Sequence, residues 1–472
     1  MSTSLWFRSG LGSVSGLGLG WSLARLSNDL LGTAGLGLGC ALLIPPLSAG
    51  SNWAARIRAA VLHGAWMAGA ILLGLGVHRP LDALLFVLVD VALLALACHG
   101  ARLRVAPIGL CLMLSGTLAR AECPTQAPLF GLPLAPTLDK AVPVDNLRRF
   151  AFESDAHRTD AVVVLRDGEL VFEAYAHGFT ASMPHLAWSV SKSISSALLG
   201  VAIQEGRLTL SDSICDHLDA PEDKCGIQVL DLLRWSSGLD WTETYEEDES
   251  AQASSVLAML YGEGRRDMAR FVLEHPFRAP PGATWMYSSG DAHLMMAVVG
   301  AAMEPHHGAL FPWSVLFDTL GMEGAVFEQD AAGDYVGASY FHGTARDLAR
   351  FGQLYVQDGC WNGKRILPEG WVKDAGQVSA PFSIKRVARS DPRDVGGRSW
   401  WLNRPVPEAN IEKPWPSIPE DALVARGHWG QFVIVAPRQR VVAVRLGEDR
   451  DGLRFDLDAF ARLAFTAAGV LP

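Results

Sequence analysis

The segment Ser189–Leu199 reads SVSKSISSALL, and its pattern decides the fold that we expect for this chain. The apolar residues that follow recur with helical spacing, so the segment predicts the start of a helix. A spacing of three places the hydroxyl of Ser189 and the amine of Lys192 on one helix face, about one turn apart. A partly desolvated lysine amine loses its charge more readily and can take the proton of a serine, which makes that serine a nucleophile. The alternative is that Ser189 is a helix N-cap and Lys192 a solvated side chain.

A second motif, Tyr287-Ser288-Ser289-Gly290, follows a proline-rich turn. Among the seven tyrosines, only Tyr287 has a serine or asparagine two residues later. A tyrosine hydroxyl placed between a cationic lysine and a nucleophile can pass a proton to the leaving group, acting as base and then as acid. Taken alone, the motif also fits a core aromatic side chain after a turn.

A third motif, Arg426-Gly427-His428-Trp429-Gly430-Gln431, precedes a predicted hairpin near the end of the chain. Glycines let a strand backbone approach a ligand closely, because they carry no side chain. An N–H group at this strand edge could complete an oxyanion hole with the N–H of Ser189, where the helix N-terminus adds a partial positive charge. Alone, the motif is only a glycine-rich entry into a strand.

In this order, the three motifs resemble those of the serine β-lactamase and penicillin-binding-protein superfamily. The resemblance covers about residues 140–472. It is greatest to the class C β-lactamase-related branch, which includes D-alanyl-D-alanine carboxypeptidases, esterases and nylon-oligomer hydrolases. It implies an α+β domain of β-lactamase/transpeptidase type, with an antiparallel sheet flanked by helices and a helical subdomain.

The resemblance also implies roles for the motif residues. Ser189 becomes the acylated nucleophile, Lys192 its activating partner and Tyr287 the proton shuttle. The implied substrate and oxyanion contacts are Ser289, His428, Trp429 and Gly430. No metal or diffusible cofactor is needed for this chemistry, and the sequence contains no Cys-x-x-Cys or His-Glu-x-x-His pattern that predicts a zinc site.

The third motif departs from the Lys-Thr-Gly of many penicillin-recognising members, in which the lysine pairs with the substrate carboxylate. Here His428 is mostly neutral near pH 7 and Trp429 adds bulk. We therefore expect an esterase or amidase that acts on a small ester, amide or peptide. The alternatives are a D-alanyl-D-alanine carboxypeptidase or β-lactamase, and a non-catalytic module that binds cell-wall peptides. We expect the acidic run Glu243–Glu249 to be a solvated loop, or else part of the pocket mouth.

Residues 1–121 consist of Leu-, Ala- and Gly-rich stretches separated by short joints that carry Arg. They predict a transmembrane helical region of about four spans, because four stretches approach the roughly 20 apolar residues that cross a bilayer. The Arg-bearing segments between the spans are typical of cytoplasmic loops. The chain after the fourth span is therefore expected in the periplasm or outside a bacterial inner membrane. Alternatively, Arg102–Ala121 is a signal peptide, which also exports the second half. The four predicted spans are Leu30–Ala49, Ile57–Val77, Leu81–Cys98 and Val105–Ala119.

The charge of the remaining chain limits its partners. Residues 1–120 carry a net charge of +5 and the rest carries −15, within a total of −10. This acidic part has no basic tract, so nucleic acid is not expected as a partner. Cys215 and Cys225 bracket a short loop and are candidates for a disulfide in an oxidising compartment, although free buried thiols are the alternative.

The predicted organisation is a proline-rich linker over residues 122–139, followed by the hydrolase domain over 140–472. The run Ala161–Arg166, the dipeptide Asp167-Gly168 and the run Leu170–Tyr175 predict a hairpin. Strands near both ends of the domain, with helical stretches between them, predict a sheet whose first and last parts pair. A second hairpin is predicted from Phe432–Val435 and Val441–Arg445, and helices from Ile194–Ile203, Ala345–Tyr355 and Phe455–Ala468.

Overall fold

The computed structural model describes residues 123–125, 142–245, 254–380, 382, 394–450 and 453–471. All of these lie in one structural unit, residues 121–472. The predicted transmembrane region and most of the predicted linker lie outside the described residues. Within the described ranges, we find no helix that is both long and apolar enough to cross a bilayer.

A six-stranded antiparallel sheet forms the centre of this unit, and its strand order is β2-β1-β11-β10-β9-β8. A three-stranded sheet, β3-β5-β4, and a two-stranded sheet, β6-β7, lie outside it. The strands are β1 (Thr159–Arg166), β2 (Glu169–Tyr175), β3 (His185–Leu186), β4 (Val326–Phe327), β5 (Phe341–Gly343), β6 (Cys360–Trp361), β7 (Lys364–Arg365), β8 (Trp401–Leu402), β9 (Leu423–Gly427), β10 (Gln431–Ala436) and β11 (Val441–Gly447).

Both predicted hairpins are confirmed. Strands β1 and β2 pair across Asp167 and Gly168, whose φ angles of 53° and 80° are those of a tight two-residue turn. Strands β10 and β11 form the second hairpin. Strand β1 also pairs with β11, with Val163 opposite Val444, so the first and last parts of the domain share one sheet as the sequence predicts.

Helices cover both faces of the sheet, which is why β1, β10 and β11 are buried along almost their whole length. Helices α1 and α10 contact each other and the β1–β11 pair, whereas α2 and α8 contact the strands from β9 to β11. The segment between α2 and β4 adds helices α3 to α7 and no strand of the large sheet, as expected for a helical subdomain. The helices are α1 (Val142–Phe152), α2 (Val190–Gln204), α3 (Val229–Leu233), α4 (Ser255–Tyr261), α5 (Met268–Leu273), α6 (Ser289–His307), α7 (Asp318–Leu320), α8 (Ala345–Val356), α9 (Trp371–Ala375) and α10 (Leu457–Ala467).

Two disulfides join the four cysteines that follow the apolar region. Cys215 is bonded to Cys225, the pair that brackets the short loop. Cys123 is bonded to Cys360 at the start of β6, and the N–H of Gly363 donates to the carbonyl of Pro124 beside it. The second disulfide therefore attaches the chain just after residue 121 to the folded unit.

Candidate active site

Helix α2 places Ser189 at its N-terminus, between helix α6 and the end of strand β9. The preceding residue, Trp188, has a left-handed φ of 49°, an unfavourable conformation for a residue with a side chain. This sharp turn between β3 and α2 leaves Ser189 only half-buried, although the helix behind it is buried. The hydroxyl is thus held at the surface of a rigid element, where a substrate can reach it.

Lys192 lies one helical turn further along and is almost completely buried, with 1% of its surface exposed. Its Nζ donates to Ser189 Oγ at 3.0 Å, to Ser289 Oγ at 2.9 Å and to the carbonyl of Ala338 at 3.0 Å. Burial lowers the pKa of Lys192 to about 8, against the opposing effect of the Glu243 charge. The amine is therefore positioned and poised to accept the proton of Ser189.

Tyr287 approaches the same pair from the segment that enters helix α6. Its hydroxyl is close enough to Ser189 for that side chain to lower the pKa of the phenol, and its ring lies 4.9 Å from Lys192 Nζ. The rings of Trp235 and Trp401 pack against it at centroid distances of 4.8 and 5.0 Å, which fixes its position. Burial raises the pKa of Tyr287 well above its ordinary value, so the phenol is protonated at neutral pH and suited to donating a proton.

Ser289 connects the lysine to Glu243, the first carboxylate of the acidic run that is expected in a solvated loop or at the pocket mouth. Its hydroxyl accepts from Lys192 and donates to Glu243 Oε1 at 2.5 Å, while its N–H donates to Glu243 Oε2 at 2.9 Å. Glu243 also accepts from Trp241 Nε1 and from the hydroxyl of Tyr245. Glu243 is thus part of the site, and the described part of the acidic run is not a solvated loop.

Four aromatic rings line one side of this arrangement. The ring of Tyr245 stacks on His428 at a centroid distance of 5.0 Å. Trp188 presents its edge to His428 at 5.6 Å and to Trp429 at 5.2 Å. Three of these residues flank Ser189 or belong to the third motif, whereas Tyr245 comes from the loop after α3. The rings form an aromatic wall that starts at Trp188, the residue before Ser189.

The two glycines of the third motif lie in different environments. Strand β9 ends at Gly427, where an added Cβ would lie 2.2 Å from the carbonyl oxygen of Ala187. Only glycine permits this approach of the strand end to the chain that leads into Ser189. Gly430 has a φ of 87° and faces the buried Arg445, whose Nη1 would lie 2.0 Å from an added Cβ. Gly430 is therefore required by the turn and by packing against Arg445, whereas the rings of His428 and Trp429 pack against that of Trp188.

Arg426, the first residue of the third motif, is a cation whose charge acts on Tyr287. Its Nη1 donates to Asp394 Oδ1 at 2.5 Å, and its guanidinium lies 5.4 Å from the ring centroid of Trp401. The partner carboxylate neutralises its charge. An arginine paired in this way is poorly placed to replace the lysine with which related enzymes bind a substrate carboxylate.

The structure brings together Ser189, Lys192, Tyr287 and Ser289, with the rings of His428 and Trp429 close by. Sequence reasoning did not assign a role to Glu243 or Tyr245. The two residues lie 46 and 44 positions before Ser289, in a run of like charges that usually indicates a solvated surface. Their only local signal was a tyrosine inside an acidic run.

We expect Glu243→Gln to shift the rising limb of the pH profile of kcat/KM to lower pH. The negative charge of Glu243 raises the pKa of Lys192, so its removal lowers that pKa further. We also expect kcat to fall by about tenfold to a hundredfold, because an amide group cannot accept all four hydrogen bonds that Glu243 accepts. Stopped-flow hydrolysis of p-nitrophenyl acetate between pH 5 and pH 10 measures both effects. Glu274→Gln, an exposed carboxylate just after α5, is the control, and an unchanged midpoint in Glu243→Gln would contradict the assigned coupling.

Comparison with known proteins agrees with the geometry. The model of the family described as Beta-lactamase matches residues 147–468. The 6-aminohexanoate-dimer hydrolase of Paenarthrobacter ureafaciens is 26% identical over 255 residues, which cover 52% of this chain and 64% of that hydrolase. The chain thus spans less than two thirds of the length of this curated relative.

Solved structures share the fold at low sequence identity. A family VIII carboxylesterase is 14% identical with a TM-score of 0.53, over 74% of this chain and 100% of that one. A penicillin-binding-protein homologue from Caulobacter crescentus is 15% identical with a TM-score of 0.52, over 72% of this chain and 99% of that one. These matches confirm the α+β fold of β-lactamase/transpeptidase type. The chain belongs to the β-lactamase family, within the superfamily of serine β-lactamases and penicillin-binding proteins.

Proposed function

We propose that the chain is a serine hydrolase of esterase or amidase type that works through an acyl-enzyme on Ser189. The observation that carries the proposal is the 3.0 Å contact between Lys192 Nζ and Ser189 Oγ, made by an amine whose pKa burial lowers to about 8. A purely binding domain has no chemical need for a buried, proton-accepting lysine beside an accessible hydroxyl.

In the proposed cycle, Ser189 Oγ attacks the substrate carbonyl carbon while Lys192 takes its proton. The tetrahedral oxyanion is stabilised by the N–H of Ser189, by the partial positive charge of the helix N-terminus and by an N–H at the end of β9, beside His428. Tyr287 donates a proton to the departing alcohol or amine, and Lys192 returns a proton to Tyr287. Water then attacks the acyl-enzyme, with its proton removed by the same groups, and releases the carboxylic acid and free Ser189.

The charges around the site favour an uncharged acyl substrate. Glu243 contributes a negative charge, the ring wall is aromatic, and Arg426 is already paired with Asp394. A substrate carboxylate would meet little uncompensated positive charge here other than Lys192. The proposal therefore ranks neutral esters and amides above β-lactams and D-alanyl-D-alanine peptides, which carry that carboxylate.

We expect kcat/KM for p-nitrophenyl butyrate to exceed that for a chromogenic cephalosporin by at least about tenfold, since each tenfold corresponds to only about 1.4 kcal/mol of discrimination. Short amides, D-alanyl-D-alanine peptides and the 6-aminohexanoate dimer complete the panel, all tested on the purified full-length protein. Uncharged isosteres of the substrates that carry a carboxylate serve as the matched control for the effect of the substrate charge. Cephalosporin cleavage faster than ester cleavage would contradict the assigned role of His428 and the paired Arg426.

The proposal includes a membrane anchor in residues 1–121 and a linker over 122–139, with the hydrolase domain, 140–472, in the periplasm or outside the cell. Two disulfides in the described residues support an oxidising compartment. We expect the protein to stay in the membrane pellet after alkaline carbonate extraction. Protease added to spheroplasts should reach the hydrolase domain, and release of the protein by carbonate would contradict the anchor.

A further inference from the structure

A second group of ionisable residues lies on helix α6, away from Ser189. His293 is one helical turn beyond Ser289 and is fully buried, with none of its surface exposed. Neither of its ring nitrogens has a hydrogen-bond partner in the described part of the chain. Buried polar groups in folded proteins are nearly always satisfied, so a fully buried imidazole without a hydrogen bond needs an explanation.

The ring of His293 points at a loop that supplies two carboxylates. Its Nε2 lies 3.8 Å from Asp330 Oδ2, which is too far for a hydrogen bond. Asp334 belongs to the same loop, and one ligand atom from each of the three residues falls within 4.8 Å of the other two. Asp330 is held by N–H groups from Met268 and from its own loop, so its carboxylate is oriented before any ion binds.

Further negative charge surrounds this group. Asp267 and Glu304 lie close enough for their charges to act on Asp334, together with Asp330. Asp334 Oδ1 and Glu304 Oε1 lie 4.0 and 3.9 Å from the same point, the position of a Cβ built on Gly300. Four carboxylates around one buried imidazole repel one another, and a divalent cation would remove that repulsion.

We propose that His293, Asp330 and Asp334 bind a divalent transition-metal ion, with Zn²⁺ as the best match, and that Glu304 or water completes the coordination. One imidazole nitrogen and two carboxylate oxygens are donors that zinc accepts, at bond lengths of about 2.0–2.2 Å. In tetrahedral zinc coordination such bonds place two donors about 3.4 Å apart, so a pair separated by 4.8 Å must approach by about 1.4 Å. Asp334 is only half-buried beside the exposed residues 331–333, which leaves room for this movement and a path for the ion.

The position of the site gives the ion a structural task. It would tie helix α6, which supplies Ser289, to the loop that continues to Ala338, whose carbonyl accepts from Lys192. Gly337, in the same loop, accepts from Ser195 on α2. Metal binding would thus hold together two of the elements that contact the catalytic lysine. The site itself does not depend on the proposed hydrolase activity, because it contains no residue of the reaction.

The test is metal binding by the full-length protein, purified without an affinity tag and stripped of metal with a chelator. We expect calorimetric titration with ZnCl₂ to give one site per chain and Zn²⁺ to raise the thermal midpoint. Titration with CoCl₂ should give visible d–d absorption. This absorption is typical of a cobalt ion that has a low coordination number and a nitrogen ligand. These readouts do not require activity, so their failure is distinct from failure of the proposed function.

Two variants and one control make the assignment specific. Asp334→Asn removes a partly exposed ligand and should weaken the binding of Zn²⁺ by at least about tenfold. His293→Asn should abolish the visible cobalt spectrum, and circular dichroism reports whether that variant folds. Glu328→Gln removes an exposed carboxylate that pairs with His342 outside the group and should bind as the wild type does. Wild-type affinity in Asp334→Asn, or absence of a stoichiometric site in the unaltered protein, would overturn the proposal.

Discussion

Replacing Ser189 with alanine is expected to lower kcat for p-nitrophenyl butyrate on the order of 10⁴-fold or more. The loss is this large because the serine, the lysine and the tyrosine act as a unit, and removal of the nucleophile leaves only transition-state binding. The fold should not change, since Ser189 is half-buried at a helix N-terminus and its side chain makes no cap hydrogen bond. Steady-state kinetics of the full-length protein measure the loss.

Covalent labelling separates this expectation from its alternatives. A fluorophosphonate probe should add one adduct to the wild-type protein, at Ser189, and none to Ser189→Ala. Ser182→Ala is the control, because Ser182 is exposed and its side chain is hydrogen-bonded to that of Thr180, away from the site. Absence of an adduct on the wild-type protein would instead favour a non-catalytic binding module. Labelling that persists in Ser189→Ala would show that another residue is the nucleophile.

The second large effect is expected from Lys192, which should set the pH dependence of kcat/KM. Only the neutral amine can accept a proton, and the pKa of Lys192 is about 8. For the wild-type protein, kcat/KM on a neutral ester should rise about tenfold per pH unit below pH 8 and level off above it. At pH 7 about one tenth of the lysine is neutral, so the enzyme works below its maximal rate there.

Two substitutions test whether Lys192 is a base or only a positive charge. Lys192→Met should lower kcat/KM by about 10³-fold and abolish the limb near pH 8. Lys192→Arg keeps the charge but cannot become neutral, so it should be nearly as inactive. Lys364→Met, an exposed residue of β7, is the control. Substantial activity in Lys192→Arg, or a limb that survives in Lys192→Met, would contradict the assigned role.

Local patterns were sufficient for the parts of the fold in which neighbours in sequence are neighbours in space. The β1–β2 hairpin followed from the β-branched run Ala161–Arg166 and the run Leu170–Tyr175 on either side of Asp167-Gly168, because this dipeptide readily adopts the positive φ angles of the turn. The pairing of β1 with β11 was also predicted, from strands near both ends of the domain. The seven other helices of the described residues and the short strands were not predicted, since several span only a few residues and carry little periodicity.

The residues of the site divide in the same way, into those that local spacing predicts and those that only the fold brings together. Ser189 and Lys192 could be paired from sequence because a helix converts a spacing of three into one shared face. Glu243 could not be found in this way, since it reaches Ser289 through a loop whose path depends on the packing of the whole subdomain. The third motif leads into the predicted second hairpin, but only the structure separated Gly427, which approaches Ala187, from Gly430, which packs against Arg445.

The amino-acid sequence alone determined the family, the order of the three motifs and the two residues that one helical turn brings together. These depend on short-range geometry, which periodicity encodes directly. Tertiary structure decided the burial of Lys192, the contact of Glu243 with Ser289, the pairing of Arg426 with Asp394 and the convergence of His293 on Asp330. Burial and long-range contacts set the charge of the lysine amine, because desolvation and nearby charges act through space and not along the chain.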